Sequence, residues 1–178
     1  DPVPWPTRGV ELACREGLRA RGERQYGVEA SRGIARAALQ EPTAYVNIGT
    51  GRTQDIGSQS IVPLLRLATG LRFLDLCAAP GNKTAQALES CVHTISCALH
   101  FHRIAQLKSL TGNLAVLDGT RPLPFNRAFD RILVDAPCSG TGTLGRNPEI
   151  KWRLKPADLE DLPRRQSALL ANARTVLA

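Results

Sequence analysis

Two short segments of the chain place reactive side chains directly after apolar runs. The segment 135–142 (DAPCSGTG) follows the apolar residues 132–134, and it presents a carboxylate, a proline-stiffened turn and a thiol. The segment 73–84 (FLDLCAAPGNKT) has the same design of apolar run, acid, small-residue turn and helix start. Ligands gather at the carboxyl ends of strands in open α/β sheets. The two segments therefore predict a cofactor site beside a reactive site.

The turn in the earlier segment offers a bare backbone to a ligand. Ala78, Ala79 and Gly81 lack bulky side chains, and the start of the following helix offers free N–H groups. These groups suit the carboxylate of an amino-acid-like cofactor, or a phosphate. The segment fails the phosphate-binding pattern GxxxxGK[ST], because Asn82 separates Gly81 from Lys83, and it also fails the dinucleotide pattern GxGxxG.

The elements predicted around these segments alternate between strands and helices. The predicted strands are 72–76, 92–97, 114–117 and 130–134, and the predicted helices are 58–69, 83–90, 101–111 and about 156–177. Strands separated by helices imply parallel pairing with right-handed crossovers. The sequence therefore predicts the α/β fold class, with a parallel sheet and flanking helices.

The residues before this pattern predict a small helical lobe. Helices are expected at 8–21 and 27–40, with a short strand at 44–47, and a glycine-rich stretch then marks a boundary. The predicted domains are a partial helical N-terminal lobe at 1–48 and a sheet domain at 49–178.

The predicted sheet has an uncovered edge. Its last helix reaches Ala178 with no strand to pair beside 130–134, and natural proteins usually cover such an edge. We therefore expect the sheet domain to be incomplete at its C-terminal end.

The composition favours a polyanionic partner. The formal net charge is +7, from 23 Lys and Arg against 16 Asp and Glu. The planar forks of arginine match phosphate geometry, which favours nucleic acid over a merely solvated basic surface. The arginines of the leader fit RNA contacts and solvated helix faces equally well. They are Arg15, Arg19, Arg21, Arg24, Arg32 and Arg36.

The cysteine and hydropathy patterns bear on metal binding and on cellular location. The five cysteines form no CxxC pair and show no metal-ligand spacing with the three histidines, so no metal is expected. A reducing compartment fits best, and we expect a cytoplasmic location. No apolar run reaches the length of a membrane span, and there is no leader of the signal-peptide type.

The two reactive segments together resemble the Fmu/Sun family of RNA (cytosine-5) methyltransferases. The resemblance continues in 54–59, 118–121 and 146–153, and it covers residues 52–178. It implies a class I methyltransferase (Rossmann-like) fold with S-adenosyl-L-methionine as the methyl donor. It also implies an RNA substrate, with 16S-type ribosomal RNA favoured over transfer RNA. No membrane partner is expected, and the oligomeric state stays open.

The same resemblance implies roles for individual residues. In the family a thiolate adds to C6 of cytosine and activates C5, while a second cysteine, matched by Cys138, helps to remove the C5 proton or release the product. Asp135 would lie between cofactor and base, and Asp118 would accept from the adenine amino group. The expected catalytic residues are Cys138 and Asp135. The expected cofactor-binding residues are Cys77, Ala78, Ala79, Pro80, Gly81, Asn82, Lys83, Asp118 and Asp135.

The chain departs from the family pattern at three places. The attacking cysteine of the family lies in a Thr-Cys-Ser turn after the next strand, and the chain ends at Ala178 before it. Ala98 stands where an acid normally holds the ribose, and a methyl group accepts no hydrogen bond. Asn82 replaces the usual second glycine. The alternative function is therefore a catalytically incomplete RNA-binding module derived from the family.

Overall fold

A computed structural model describes residues 7–90 and 92–178. The chain forms two compact units. The first, which we call the helical unit, contains the described residues up to Thr43 together with 138–162. The second, which we call the sheet unit, contains residues 44–137 and 163–178. The predicted domain boundary between residues 48 and 49 stays a prediction.

The sheet unit contains a four-stranded parallel sheet within the described residues. Its strands are β1 (Arg72–Asp75), β2 (His93–Ala98), β3 (Leu114–Val116) and β4 (Arg131–Leu133). Their order is β3-β2-β1-β4, and every neighbouring pair is parallel. This is the order of the first four strands in the doubly wound fold. The predicted parallel sheet is confirmed, and its strands begin and end within one residue of the predicted bounds.

The described residues also form nine helices. They are α1 (Arg8–Glu11), α2 (Glu16–Tyr26), α3 (Val28–Ala37), α4 (Ile56–Gln59), α5 (Ile61–Leu64), α6 (Asn82–Leu88), α7 (Phe101–Ile104), α8 (Ile150–Arg153) and α9 (Pro156–Val176). Two 3₁₀ turns occupy 105–107 and 141–143. No helix in the described ranges combines the length and apolar character that a membrane crossing needs.

Three predicted helices are interrupted in the structure. The helix expected at 8–21 is divided into α1 and α2 near Ala13, which has a positive φ of 43°. The helix expected at 58–69 is replaced by α4 and α5, and Pro63 lies in the first turn of α5, where its missing N–H costs little. The helix expected at 101–111 continues beyond α7 only as a 3₁₀ turn.

Apolar side chains on the two faces of the sheet form two cores. Phe73 and Leu74 are adjacent in β1 and both fully buried, and successive side chains in a strand point to opposite faces. Leu74 joins a cluster completed by α9 residues such as Leu169 and Val176. Phe73 belongs to the other cluster, with Val62 of α5 and others. Burial on both faces explains why the strands are continuous apolar runs rather than alternating ones.

Two short pairings lie outside the main strands. Val46 and Thr53 form a single antiparallel bridge in place of the strand predicted at 44–47. Phe129 and Leu177 form a parallel bridge, so the residues after α9 lie beside the segment that leads into β4. The expected incompleteness of the sheet stays a prediction.

Three arginines of the leader form ion pairs with glutamates of the helical unit. Arg19 forms ion pairs with Glu16 and Glu23 on α2. Arg32 pairs with Glu29 at 2.8 Å, and Arg36 pairs with Glu11 at 3.6 Å. For these three arginines the structure favours the solvated, ion-paired helix face over the RNA contact.

Candidate functional site

A small pocket lies in the sheet unit at the carboxyl ends of the strands. Its volume is about 110 Å³, and it is lined by Ser58, Asp75, Cys77, Ala78, Ala79, Pro80, Asn82, Lys83 and Asp135. The register of β1 and β4 explains the meeting, because Asp75 is paired with Leu133. Asp135 therefore follows β4 at the same edge of the sheet at which the turn after Asp75 begins. The two segments with reactive side chains share one pocket.

The turn between β1 and α6 depends on a glycine. Gly81 has a φ of 102°, in the left-handed region that side chains disfavour. A Cβ atom there would lie 2.9 Å from Cδ1 of Leu110 and 3.1 Å from Cγ of Leu107. Gly81 itself is absent from the pocket lining, and it shapes the backbone that carries Ala78 and Ala79.

Asn82 ties this turn to the segment that precedes α4. Its Nδ2 donates to the carbonyl oxygen of Thr53 at 3.0 Å, and its Oδ1 accepts from Nε of Arg52 at 2.7 Å. Arg52 also donates to the carbonyl oxygen of Pro80 at 3.4 Å. The asparagine that replaces the second glycine of the family thus fixes one wall of the pocket.

Asp75 is a buried carboxylate with one free oxygen. Its side chain is 1% exposed, and its Oδ2 accepts from the Thr84 hydroxyl at 2.7 Å. Its Oδ1 has no hydrogen-bond partner among the described residues. Burial raises the pKa of Asp75 to about 6, against the lowering effect of the Thr84 hydrogen bond. The backbone N–H of Cys77 also lowers this pKa, although it does not meet the geometric criteria for a hydrogen bond to Oδ1. Asp75, which lines the pocket, therefore has an unused acceptor.

An ion pair forms part of the pocket lining. Nζ of Lys83 lies 2.6 Å from Oδ2 of Asp135, with Lys83 largely buried and Asp135 half exposed. Nearby, burial, Asp75 and Asp135 raise the pKa of Cys77 to about 12. A thiol with that pKa is neutral at physiological pH, so Cys77 lines the pocket as an apolar group rather than as a nucleophile.

Two other predicted site residues, Asp118 and Cys138, lie outside the pocket lining, as does Ala98. Asp118 follows β3, and its Oδ1 accepts from the backbone N–H of Thr120 at 3.0 Å and from its hydroxyl at 2.6 Å. The Thr120 hydroxyl is the main reason that the pKa of Asp118 is lowered. Ala98 ends β2 as a buried residue, so its methyl group supplies no acceptor there. Cys138 belongs to the helical unit, where its side chain is exposed, and its catalytic role stays a prediction.

Three contributors were absent from the predicted set of site residues. Asp75 was recognisable from its place at the end of an apolar run, but its unpaired oxygen depends on burial and on the Thr84 contact. Ser58 and Arg52 precede the sheet in the chain. Their positions in the site depend on how the segment 52–59 packs beside α6. The types of these two residues do not indicate that packing.

The fold and the pocket together define a class of protein. A parallel sheet in the order 3-2-1-4, with helices on both faces and a pocket at its carboxyl edge, is a Rossmann-like domain of the class I methyltransferase type. The chain belongs to the family of the 16S rRNA methyltransferases RsmB/F, whose family model matches residues 62–178. This membership confirms the resemblance that the two segments indicated.

Curated relatives match the same region. The ribosomal RNA small subunit methyltransferase B of Yersinia enterocolitica is 38% identical over 133 residues, which cover 69% of this chain and 31% of the relative. The protein of the same name from Yersinia pseudotuberculosis is 37% identical over 133 residues, with the same coverage. The chain thus spans about a third of the length of these relatives.

Solved structures share the fold. The crystal structure of PH0851 superposes with a TM-score of 0.84 over 99% of this chain and 54% of that chain, at 18% identity. The crystal structure of NSun6 from Pyrococcus horikoshii with SFG superposes with a TM-score of 0.59, at 26% identity, over 73% of this chain and 36% of that chain. The predicted class I methyltransferase fold is confirmed.

Proposed function

We propose that this chain is part of an S-adenosylmethionine-dependent RNA (cytosine-5) methyltransferase that acts on 16S-type ribosomal RNA. The observation that carries the proposal is the 110 Å³ pocket in which the free oxygen of Asp75 and the Lys83–Asp135 pair meet a bare turn. Membership of the RsmB/F family supports the same activity.

The residues present fit the methionine end of the cofactor. When bound, S-adenosylmethionine supplies a methyl group on a positively charged sulfur. Oδ1 of Asp75 is a free acceptor for the ammonium group of its methionine end. Sites for whole ligands usually enclose roughly 300–1,000 Å³, so a pocket this small holds one end of the molecule only. Asp118, beyond β3, would serve the adenine end.

Asp135 and Lys83 are suited to proton transfer to the base. As a thiolate forms a bond to C6 of cytosine, N3 accepts a proton through Asp135, and the Lys83 ammonium group, 2.6 Å from Asp135, supplies that proton. C5 can then accept the methyl group as the bond between that group and the cofactor sulfur breaks, and N3 returns its proton to Asp135. A base next removes the C5 proton as the bond from sulfur to C6 breaks, and Cys138 assists this release.

The attacking cysteine of this route is expected in a Thr-Cys-Ser turn outside these 178 residues. The substrate cytosine has to be unstacked to reach the pocket. A chain that binds RNA and no cofactor would support the alternative, a binding module without catalysis. A cytoplasmic location stays a prediction.

A chimaera tests the reaction. The 133-residue region of the Yersinia enterocolitica relative is replaced by the matching region of this chain, and 5-methylcytosine in 16S-type RNA is measured by mass spectrometry. We expect methylation by the chimaera and none after Asp135→Asn, with the unaltered relative as the positive control. A chimaera that folds and binds S-adenosylhomocysteine, yet methylates another atom or none, would contradict the proposed reaction.

A further inference from the structure

The helical unit contains a second and larger pocket. Its volume is about 430 Å³, within the range of roughly 300–1,000 Å³ that is usual for ligand sites. Helices α2 and α3 form part of its wall, with residues such as Arg21, Tyr26 and Ala35. The segment after Cys138 forms another part through Ser139 and Thr141. The role proposed for the sheet unit makes no use of this pocket.

The charges on the pocket wall are all positive. Arg19, Arg21 and Lys151 line it, and none of the described lining residues is Asp or Glu. Arg19 is already neutralised by Glu16 and Glu23. Arg21 and Lys151 form no ion pair within the part of the chain that the structure describes. Two positive charges therefore face the cavity without a counter-ion.

Lys151 is buried at an energetic cost. Its residue is 3% exposed, and its Nζ donates one hydrogen bond, to the carbonyl oxygen of Ala38 at 3.1 Å. An ammonium group has three donors, and a buried charge without a partner is unfavourable. The positive charge of Lys151 also acts on Cys14. Burial raises the pKa of the Cys14 thiol, and the charges of Lys151 and Arg19 oppose this rise. A negatively charged group in the cavity would offset this cost.

The rest of the wall suits a flat, mainly apolar body. Leu18, Ile34 and Leu144 line the pocket with aliphatic surface, and Tyr26 adds an exposed aromatic ring. Neutral hydrogen-bonding groups come from Ser139 and Thr141. An apolar floor, an aromatic ring and uncompensated cations together match a nucleotide, which joins a flat base to a phosphate.

We infer that this pocket binds one nucleotide of a single-stranded RNA, with the base against the apolar wall and the phosphate at Arg21 and Lys151. The inference rests on the proposed RNA substrate, and it adds a subsite for a nucleotide other than the target cytosine. The wall that includes Ser139 and Thr141 follows directly in sequence the segment 135–138 that holds the expected catalytic residues.

Two pairs of variants of the whole chain test the subsite. Arg21→Gln removes a charge from the pocket, and Arg24→Gln, on the same helix and also exposed, is its control. Ala35→Trp fills the pocket, and Ala37→Trp, an exposed position on the same helix, is its control. The probe is a fluorescent single-stranded oligoribonucleotide of about eight residues, a length within single-strand site sizes, and binding is followed by anisotropy over a range of salt concentrations.

The two changes should act differently. We expect Arg21→Gln to weaken binding about tenfold and to reduce the salt slope by about one, because one phosphate is no longer neutralised. Ala35→Trp should weaken binding about tenfold, because the base can no longer stack on the apolar wall, with the slope unchanged. The control variants should stay within about twofold. Thermal unfolding of each variant identifies a loss of binding that comes from a loss of folding.

Several outcomes would overturn the inference. These are wild-type affinity in both Arg21→Gln and Ala35→Trp, equal losses in the controls, and an absence of RNA binding by the wild-type chain. Binding of S-adenosylhomocysteine is measured on the same samples. If cofactor binding persists while the pocket variants bind RNA as wild type does, the subsite fails and the proposed methyltransferase stands. If cofactor binding is absent while the pocket variants weaken RNA binding, the subsite stands and the proposed methyltransferase fails.

Discussion

Asp75 at the end of β1 and Asp118 after β3 are both carboxylates, and their surroundings shift their pKa values in opposite directions. Burial raises the pKa of Asp75 to about 6, because the charged form loses its water. Hydrogen bonds from Thr120 lower the pKa of Asp118, because they favour the charged form. Asp75 therefore reduces the stability of the ligand-free protein, and Asp118 adds to it. Such a cost is typical of a binding residue.

The pH dependence of Asp75→Asn tests this cost. Below the unfolded pKa of 3.8 the carboxyl is neutral in both states, and the penalty for a buried charge appears as the pH rises through about 6. We expect the stability of Asp75→Asn relative to wild type to increase by up to about 3 kcal/mol between about pH 4 and pH 7. Urea unfolding across this range measures it.

Asp118→Asn is the control for that series. Its lowered pKa means that the charged carboxylate stabilises the fold above the unfolded pKa, and that this stability is lost as the pH falls. The stability of Asp118→Asn relative to wild type should therefore fall as the pH rises. A pH-independent difference for Asp75→Asn would show that its carboxyl does not titrate with a raised pKa.

At the scale of elements, local signals predicted the parts of the fold that depend on local chemistry. The strands were predictable because runs such as Phe73-Leu74 are buried on both faces of a sheet. The break near Ala13 was not predictable, since no proline marks it, whereas Pro63 in the first turn of α5 does mark the break near Ser60. The pocket was predictable in outline from the two segments. The engagement of Asn82 with Arg52, 30 residues earlier in the chain, was not.

The turn before α6 is the element on which the pocket depends. Gly81→Ala places a Cβ atom in a left-handed position and crowds Leu107 and Leu110. Gly70→Ala has only the cost of a side chain in the left-handed region, because Gly70 has a φ of 84° and no atom lies within 4 Å of a Cβ built there. We expect Gly81→Ala to be less stable than Gly70→Ala by about 1–3 kcal/mol, the usual cost of overpacking. Urea unfolding of both variants checks it, and equal losses would mean that the turn has room for a side chain.

At the scale of the whole molecule, the positive charge is unevenly distributed. The sheet unit contains 12 Lys or Arg and 6 Asp or Glu, whereas the remainder of the 178-residue sequence contains 11 and 10. The excess charge that indicated a polyanionic partner therefore belongs almost wholly to the sheet unit. Arg103 lies in α7 directly after β2, and Arg164 lies two residues before Gln166, which donates to the carbonyl oxygen of Pro137 at 2.8 Å. Both are exposed.

RNA binding should reflect this distribution. The double variant Arg103→Gln/Arg164→Gln should reduce the slope of log affinity against log salt by about two, one for each phosphate that is no longer neutralised. Arg32→Gln/Arg36→Gln should leave it unchanged, because these side chains are paired with Glu29 and Glu11. Anisotropy titrations over a range of salt concentrations measure both slopes, and a larger reduction in the helical-unit pair would reverse the assignment.

The proposed function depends most directly on the bare turn beside Asp75, which would receive the methionine end of S-adenosylmethionine. Equilibrium dialysis of radiolabelled S-adenosylmethionine tests it with wild type, Ala79→Trp, which fills the pocket, and Ala68→Trp, at an exposed position outside its lining. We predict saturable binding of one molecule per chain by wild type and Ala68→Trp, and none by Ala79→Trp. Binding by Ala79→Trp equal to wild type, or no saturable binding by wild type, would contradict the account.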